Sequence, residues 1–129
     1  MTVQAYRAAI IMMWAAGVAR LHAAIEARGF TAFNTAVDAT VAKKKVHPFN
    51  IVKADAKVSS APELQRTADA VLLVVGMDLF AYDLQVYQEL ARLLGQRNDS
   101  AHPGEAQPTG LDVQQFATKL NDYLFARVK

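Results

Sequence analysis

SAPELQRTADAVLLVVG, residues 60–76, decides whether this chain is wholly helical or mixed. Its core, LLVV, reads as a buried strand when taken alone, because a short apolar run carries no period that separates strand from buried helix. The flanks resolve it. Ser60 and Glu63 stand at capping-box spacing, and Pro62 falls in the first turn, where a backbone N–H has no helical partner to lose. Leu64, Ala68, Val71, Leu72 and Val75 supply one face, and Gly76 is placed to end the helix. No other stretch offers a partner strand. The expectation is one capped helix.

Working outward, the same reading holds in both directions. Towards the N-terminus, Tyr6, Ile10, Met13, Trp14, Gly17, Leu21 and Ile25 recur at three- and four-residue spacing, predicting a helix from about Val3 to Arg28, stopped by Gly29. Ile11, Met12 and Val18 lie off that stripe. The middle of this helix is thus apolar nearly all round, as in a bundle centre or a helix shared with a second chain. Its apolar run, 8–19, is shorter than the roughly 20 residues a membrane span needs. A single arginine is a poor leader region, so the segment reads as a deeply buried helix of a soluble protein. Phe30, Phe33, Val37 and Val41 predict a second helix over 31–44, and residues 45–59, with Pro48, form the longest loop.

Towards the C-terminus, DLQVYQELARLLGQRN is a helix with Asp83 as N-cap and with Tyr87, Leu90, Leu94 and Arg97 on one face. HPGEAQPTG is a turn-rich loop. Thr109, with Asp112 three residues on, caps a last helix whose stripe is Phe116, Leu120, Tyr123, Leu124 and Val128. The expected fold is an all-α bundle of four to five helices, forming a single domain over 1–129.

Composition agrees with a packed domain. Of the 129 residues, 53% are hydrophobic, which excludes a disordered chain. Cysteine is absent, so disulfides and thiolate metal sites are excluded, and a cytoplasmic location is the expectation. The net charge of +2 is unevenly placed: residues 1–60 hold eight Lys/Arg against three Asp/Glu, and residues 61–129 hold six against nine. Lys43, Lys44, Lys45, Lys53 and Lys57 face only Asp55 between 43 and 57. Such a cluster suits a polyanion such as RNA, or else a solvated loop.

The polar chemistry gathers in RNDSAHPG, residues 97–104. Arg97 shares a face with Leu90 and Leu94, a candidate interface with a second copy, so its guanidinium is held towards the core side or that interface. Pro103 disfavours helical backbone at the residue before it, so His102 is expected to leave the helix and swing near its end. An always-charged planar anion binder, an amide and a group that titrates near neutrality then stand together. His22 and His47 lack metal-ligand spacing with each other or with His102. His22 suits a helix surface or interface, and Trp14 and the methionines suit the core. Neither a glycine-rich phosphate loop nor a nucleophile elbow is present.

Arg97, Asn98 directly after it, His102 with four residues between it and Arg97, the following Pro103 and a capped closing helix together resemble the HEPN superfamily of all-α domains. The resemblance implies a metal-independent endoribonuclease without a cofactor, in which two protomers place two copies of the motif in one cleft. Arg97 would hold the scissile phosphate, His102 would transfer a proton at the 2′-hydroxyl, and Asn98 would orient the site. Toxin–antitoxin, phage-defence and RNA-processing systems use such domains, so an antitoxin or another regulatory protein is an implied partner, and a membrane is not. Asp99 is given no role by the pattern. A tyrosine that one subgroup carries two residues after the histidine is Gly104 here. Inactive members serve as binding or dimerisation modules, which is the alternative.

Overall fold

The computed structural model describes residues 2–43, 46–102 and 107–129. Six α-helices follow one another: α1 (Val3–Arg28), α2 (Phe30–Val41), the short α3 (Ala61–Gln65), α4 (Asp69–Leu79), α5 (Leu84–Ala101) and α6 (Gly110–Leu120). Five of them exceed seven residues and pack as a bundle, and no strand occurs among the described residues. Two 3-10 turns, Phe49–Ile51 and Ala54–Ala56, carry the long loop over α2, and a π-helical turn, Asn121–Phe125, extends α6.

The caps read from sequence hold at the ends of α1, α3, α5 and α6. Gly29 ends α1 with φ of 95°, a left-handed value that only glycine adopts without penalty. The Asp83 carboxylate accepts from the Val86 N–H at 2.9 Å. Thr109 and Asp112 form a full capping box: Thr109 Oγ1 accepts from the Asp112 N–H at 3.2 Å, and Asp112 Oδ2 accepts from the Thr109 N–H at 2.8 Å. Ser60 caps α3, although Glu63 reaches back to Ser59 rather than to Ser60's own N–H. Helix α2 ends at Val41, three residues before the expected limit.

Residues 60–76 are helical but not one helix. The chain breaks at Ala68, whose ψ of 140° is extended, after Thr67 Oγ1 has donated to the Glu63 carbonyl at 3.2 Å. Local hydroxyl–backbone bonds of this kind compete with helix continuation. The break sets Asp69 in the first turn of α4, where its carboxylate accepts from Trp14 Nε1 at 2.9 Å. Gly76 does not stop α4, which runs on to Leu79. It serves packing instead: Tyr82 lies against it, a Cβ there would collide with the phenol, and the hydroxyl donates to the Leu73 carbonyl. Leu72 to Gly76 are all buried, so α4 is the helix surrounded by protein.

Helix α1 differs from its expected burial. One face, with Ile10, Trp14, Gly17, Leu21 and Ile25, is packed, and α5 and α6 cover most of it. Gly17 lets α6 approach closely, since a Cβ there would lie 3.2 Å from Leu120 Cδ1. The opposite face, with Ala8, Met12, Ala15, Ala16, Ala19 and Ala23, is exposed, and Met12 is 71% accessible. By length and composition alone α1 is apolar enough to cross a membrane, yet only a third of its most apolar window is buried in this fold. Arg7, absent from the expected stripe, is 6% exposed on the packed face, one turn before Ile10, and is engaged by a polar or electrostatic contact.

Candidate functional site at the end of α5

Helices α1 and α5 run antiparallel. Arg28, at the end of α1, donates to the Leu79 carbonyl at 2.6 Å, just before α5 begins, and Ile10, near the start of α1, shares a cavity with Gln96 and Ser100 near the end of α5. That antiparallel pairing brings the C-terminal end of α5 against the first turns of α1 and the loop that leads into α6.

The structure brings Arg97 and Asn98 together. Arg97 is half-buried beyond Leu90 and Leu93 on the packed side, and its Nη1 donates to Asn98 Oδ1 at 3.2 Å. His102 does leave the helix. It is the C-cap residue, with φ of −99° and ψ of 110°, and its N–H donates to the Asp99 carbonyl at 3.2 Å. Its side chain is exposed and makes no bond with Arg97 or Asn98 among the described residues. Pro103 and Gly104 lie outside the described residues. One protomer thus offers a guanidinium and an amide side by side, with an imidazole free on the adjoining turn.

Leu90, read as part of a possible interface with Leu94, is fully buried. The helix turns its Val86–Leu90–Leu93 line inward and leaves Leu94 at the margin.

Lys43, Lys53 and Lys57 are not at this site within one protomer. Lys43 lines a cavity with Asp78 and Tyr82, beside the start of α5. Helix α5 has 18 residues, so Arg97 is most of about 27 Å away along the bundle. Lys43 stacks over the Phe49 ring at 5.1 Å. Lys53 donates to the Asn50 carbonyl at 3.0 Å, and Lys57 pairs with Asp38 at 2.8 Å. Lys44 and Lys45 lie outside the described residues. Among the described residues no group of three His, Asp or Glu side chains converges as metal ligands would.

Sequence reasoning missed the cavity of about 210 Å³ between α1, α5 and the start of α6. Ile10, Ser100 and Pro108 form its buried floor, while Gln96, Asp99, Gln107 and Asp112 stand exposed at its rim. Gln96, Asp99 and Ser100 have i, i+3, i+4 spacing, so a shared face was legible; what they would face was not.

The chain matches no known family, no curated protein and no solved structure. Its class is that of all-α helical bundles, assigned from the fold itself.

Proposed function

We propose that this protein is a metal-independent endoribonuclease of the HEPN type, acting as a two-fold dimer on RNA. The observation that carries the reading is the pairing of half-buried Arg97 with Asn98 on the last turn of α5, with the His102 imidazole released from the helix beside them. RNA brings its own nucleophile, so the protein needs only a proton acceptor and stabilisation of charge on the phosphate. His102 takes the 2′-hydroxyl proton as that oxygen bonds to the adjacent phosphorus. The bond from phosphorus to the 5′-oxygen breaks, and that oxygen takes up a proton. A 2′,3′-cyclic phosphate and a 5′-hydroxyl result. Arg97 holds the non-bridging oxygens with two parallel donors, and Asn98 fixes the guanidinium.

One chain carries one such motif, and the exposed apolar face of α1 supports assembly with a second copy. A two-fold contact places each motif in relation to its own copy. The same uncovered face favours the second reading, a helical binding or dimerisation module without activity, and it suits an antitoxin-like regulatory partner equally. The test is total RNA incubated with wild-type and His102→Ala protein in the presence of EDTA. Cleavage by wild type alone supports the enzyme; no cleavage by either, or cleavage that EDTA abolishes, removes it. Light scattering that shows a monomer at micromolar concentration removes the dimer.

A further inference from the structure

The cavity beside the motif has features that proton transfer and phosphate binding do not use. Ser100 is 5% exposed, sits on the cavity floor, and its hydroxyl has no hydrogen-bond partner among the described residues. The Oγ atom itself is open to the cavity rather than sealed from solvent, so it can bond to whatever occupies the cavity. Asp99 is likewise without a side-chain partner, whereas Asp112 has one carboxylate oxygen committed to Thr109. The rim therefore presents carboxylate acceptors and two carboxamides, above an apolar floor of Ile10 and Pro108. A compact cation would leave that floor unused. A flat ring with amino groups on its edge would use both.

We propose that this cavity is a nucleobase pocket that selects a base carrying an exocyclic amino group, beside the phosphate position at Arg97. The proposal deepens the ribonuclease reading and rests on it. On a 3.6-residue helix Ser100 lies about 60° round from Arg97, so a base seated over Ser100 belongs to a nucleotide next to the one whose phosphate Arg97 holds. Single-stranded RNA is recognised in this way, by bases splayed from the strand and bonded along their edges. At about 210 Å³ the cavity is below the range of pockets for larger ligands and suits one ring system. Asp99 accepts from the amino group, and Gln96 and Gln107 supply further donors and acceptors. Guanine fits best, because its ring N–H and amino group offer one carboxylate two adjacent donors. Uracil, which has no amino group, fits worst.

The experiment is two-dimensional NMR of the ¹⁵N-labelled full chain, titrated with guanosine, adenosine, cytidine and uridine, in His102→Ala protein so that cleavage plays no part. Shifts at Gln96, Ser100 and Gln107 are expected with guanosine at millimolar concentration and are expected to be much weaker with uridine. Asp99→Asn, exposed and isosteric, should weaken guanosine binding roughly ten- to a hundredfold, the usual worth of a two-point edge contact, and its spectrum shows whether the fold is kept. Ser100→Ala provides a second, smaller loss. Equal shifts with uridine, shifts with spermidine but with no nucleoside, or an unchanged affinity in Asp99→Asn would each overturn the proposal. Selective nucleoside binding in a protein that cleaves no RNA supports the pocket and removes the ribonuclease. RNA cleavage without nucleoside binding does the reverse.

Discussion

The two ends of α5 use polar side chains in opposite ways. At its start, the Asp83 carboxylate is tied to the Val86 N–H and the Tyr82 hydroxyl to the Leu73 carbonyl. Arg28 is tied to two carbonyls, of Leu79 and Lys129, while stacking over Phe80 at 4.8 Å. At its finish, Arg97 reaches only its neighbour Asn98, and the side chains of Asp99, Ser100 and His102 bond to nothing among the described residues. Polar groups at the first end are consumed by folding, and those at the second are left open. On the proposed reading, the open end is where substrate contacts would be made. Substitutions should therefore cost stability at one end and function at the other.

The largest effect is expected at the open end. His102→Ala should reduce RNA cleavage by about 10²–10⁴, the usual worth of general acid–base catalysis, with the melting temperature unchanged. Arg97→Lys should fail comparably, because lysine keeps the charge but loses the planar two-point grip. Cleavage rates and thermal melts on the same samples check this. Full activity in well-folded His102→Ala protein would erase the functional half of the contrast.

Next comes Gly76→Ala, which acts on the packed end. The new methyl meets Tyr82 and must displace a ring held by its own hydrogen bond. Overpacking of this kind costs about 1–3 kcal/mol, despite the better helix propensity of alanine. That predicts a melting point lower by roughly 4–12 °C, with cleavage per folded molecule intact.

Tyr82→Phe should cost less, about 1 kcal/mol for a lost buried hydrogen bond, and it carries a pH signature. Burial pushes the Tyr82 phenol far above its ordinary value of 10, with the neighbouring Tyr87 adding to the shift. The unfolded chain therefore loses this proton before the folded one does. Tyr82's contribution is fully present below pH 10 and is lost as pH rises beyond it. Urea unfolding of wild type should show a falling midpoint over that range, and Tyr82→Phe should flatten the fall.

How much of this contrast was legible beforehand differs along the chain. Caps are local chemistry, so Asp83, Thr109 and Ser60 could be placed from neighbours in sequence. So could the departure of His102 from α5, because Pro103 disfavours helical backbone at the residue before it. Hydrophobic spacing survives a break, so the sequence of residues 60–76 reads as one helix. The bend at Ala68 follows from Thr67 bonding backward and from Trp14 attracting Asp69, and the second of these is a contact across 55 positions. Gly76 read as a stop because a glycine's tertiary role, clearance for Tyr82, has no local signature. Arg7 was missed although it stands at helical spacing with Ile10 and Trp14, since a charge on an apolar stripe is ordinarily read as its edge. The cavity at Ser100 required three elements to be assembled.

The smallest effects compare two aspartates on one helix. Asp83 at the start of α5 accepts a backbone N–H and stands where the helix dipole favours negative charge. Asp83→Ala removes both contributions and should cost about 1 kcal/mol. Asp99, two residues before the end, stands where the dipole disfavours negative charge, and no bond holds its carboxylate. Asp99→Ala should leave stability unchanged or raise it by about 0.3 kcal/mol, a change small enough to need chemical unfolding rather than a thermal scan. Whether the Asp99 carboxylate acts outside folding is read directly by the nucleoside titration. Should Asp99→Ala destabilise as much as Asp83→Ala, the open end of α5 would be a structural terminus like the other, and its polar residues would belong to the fold.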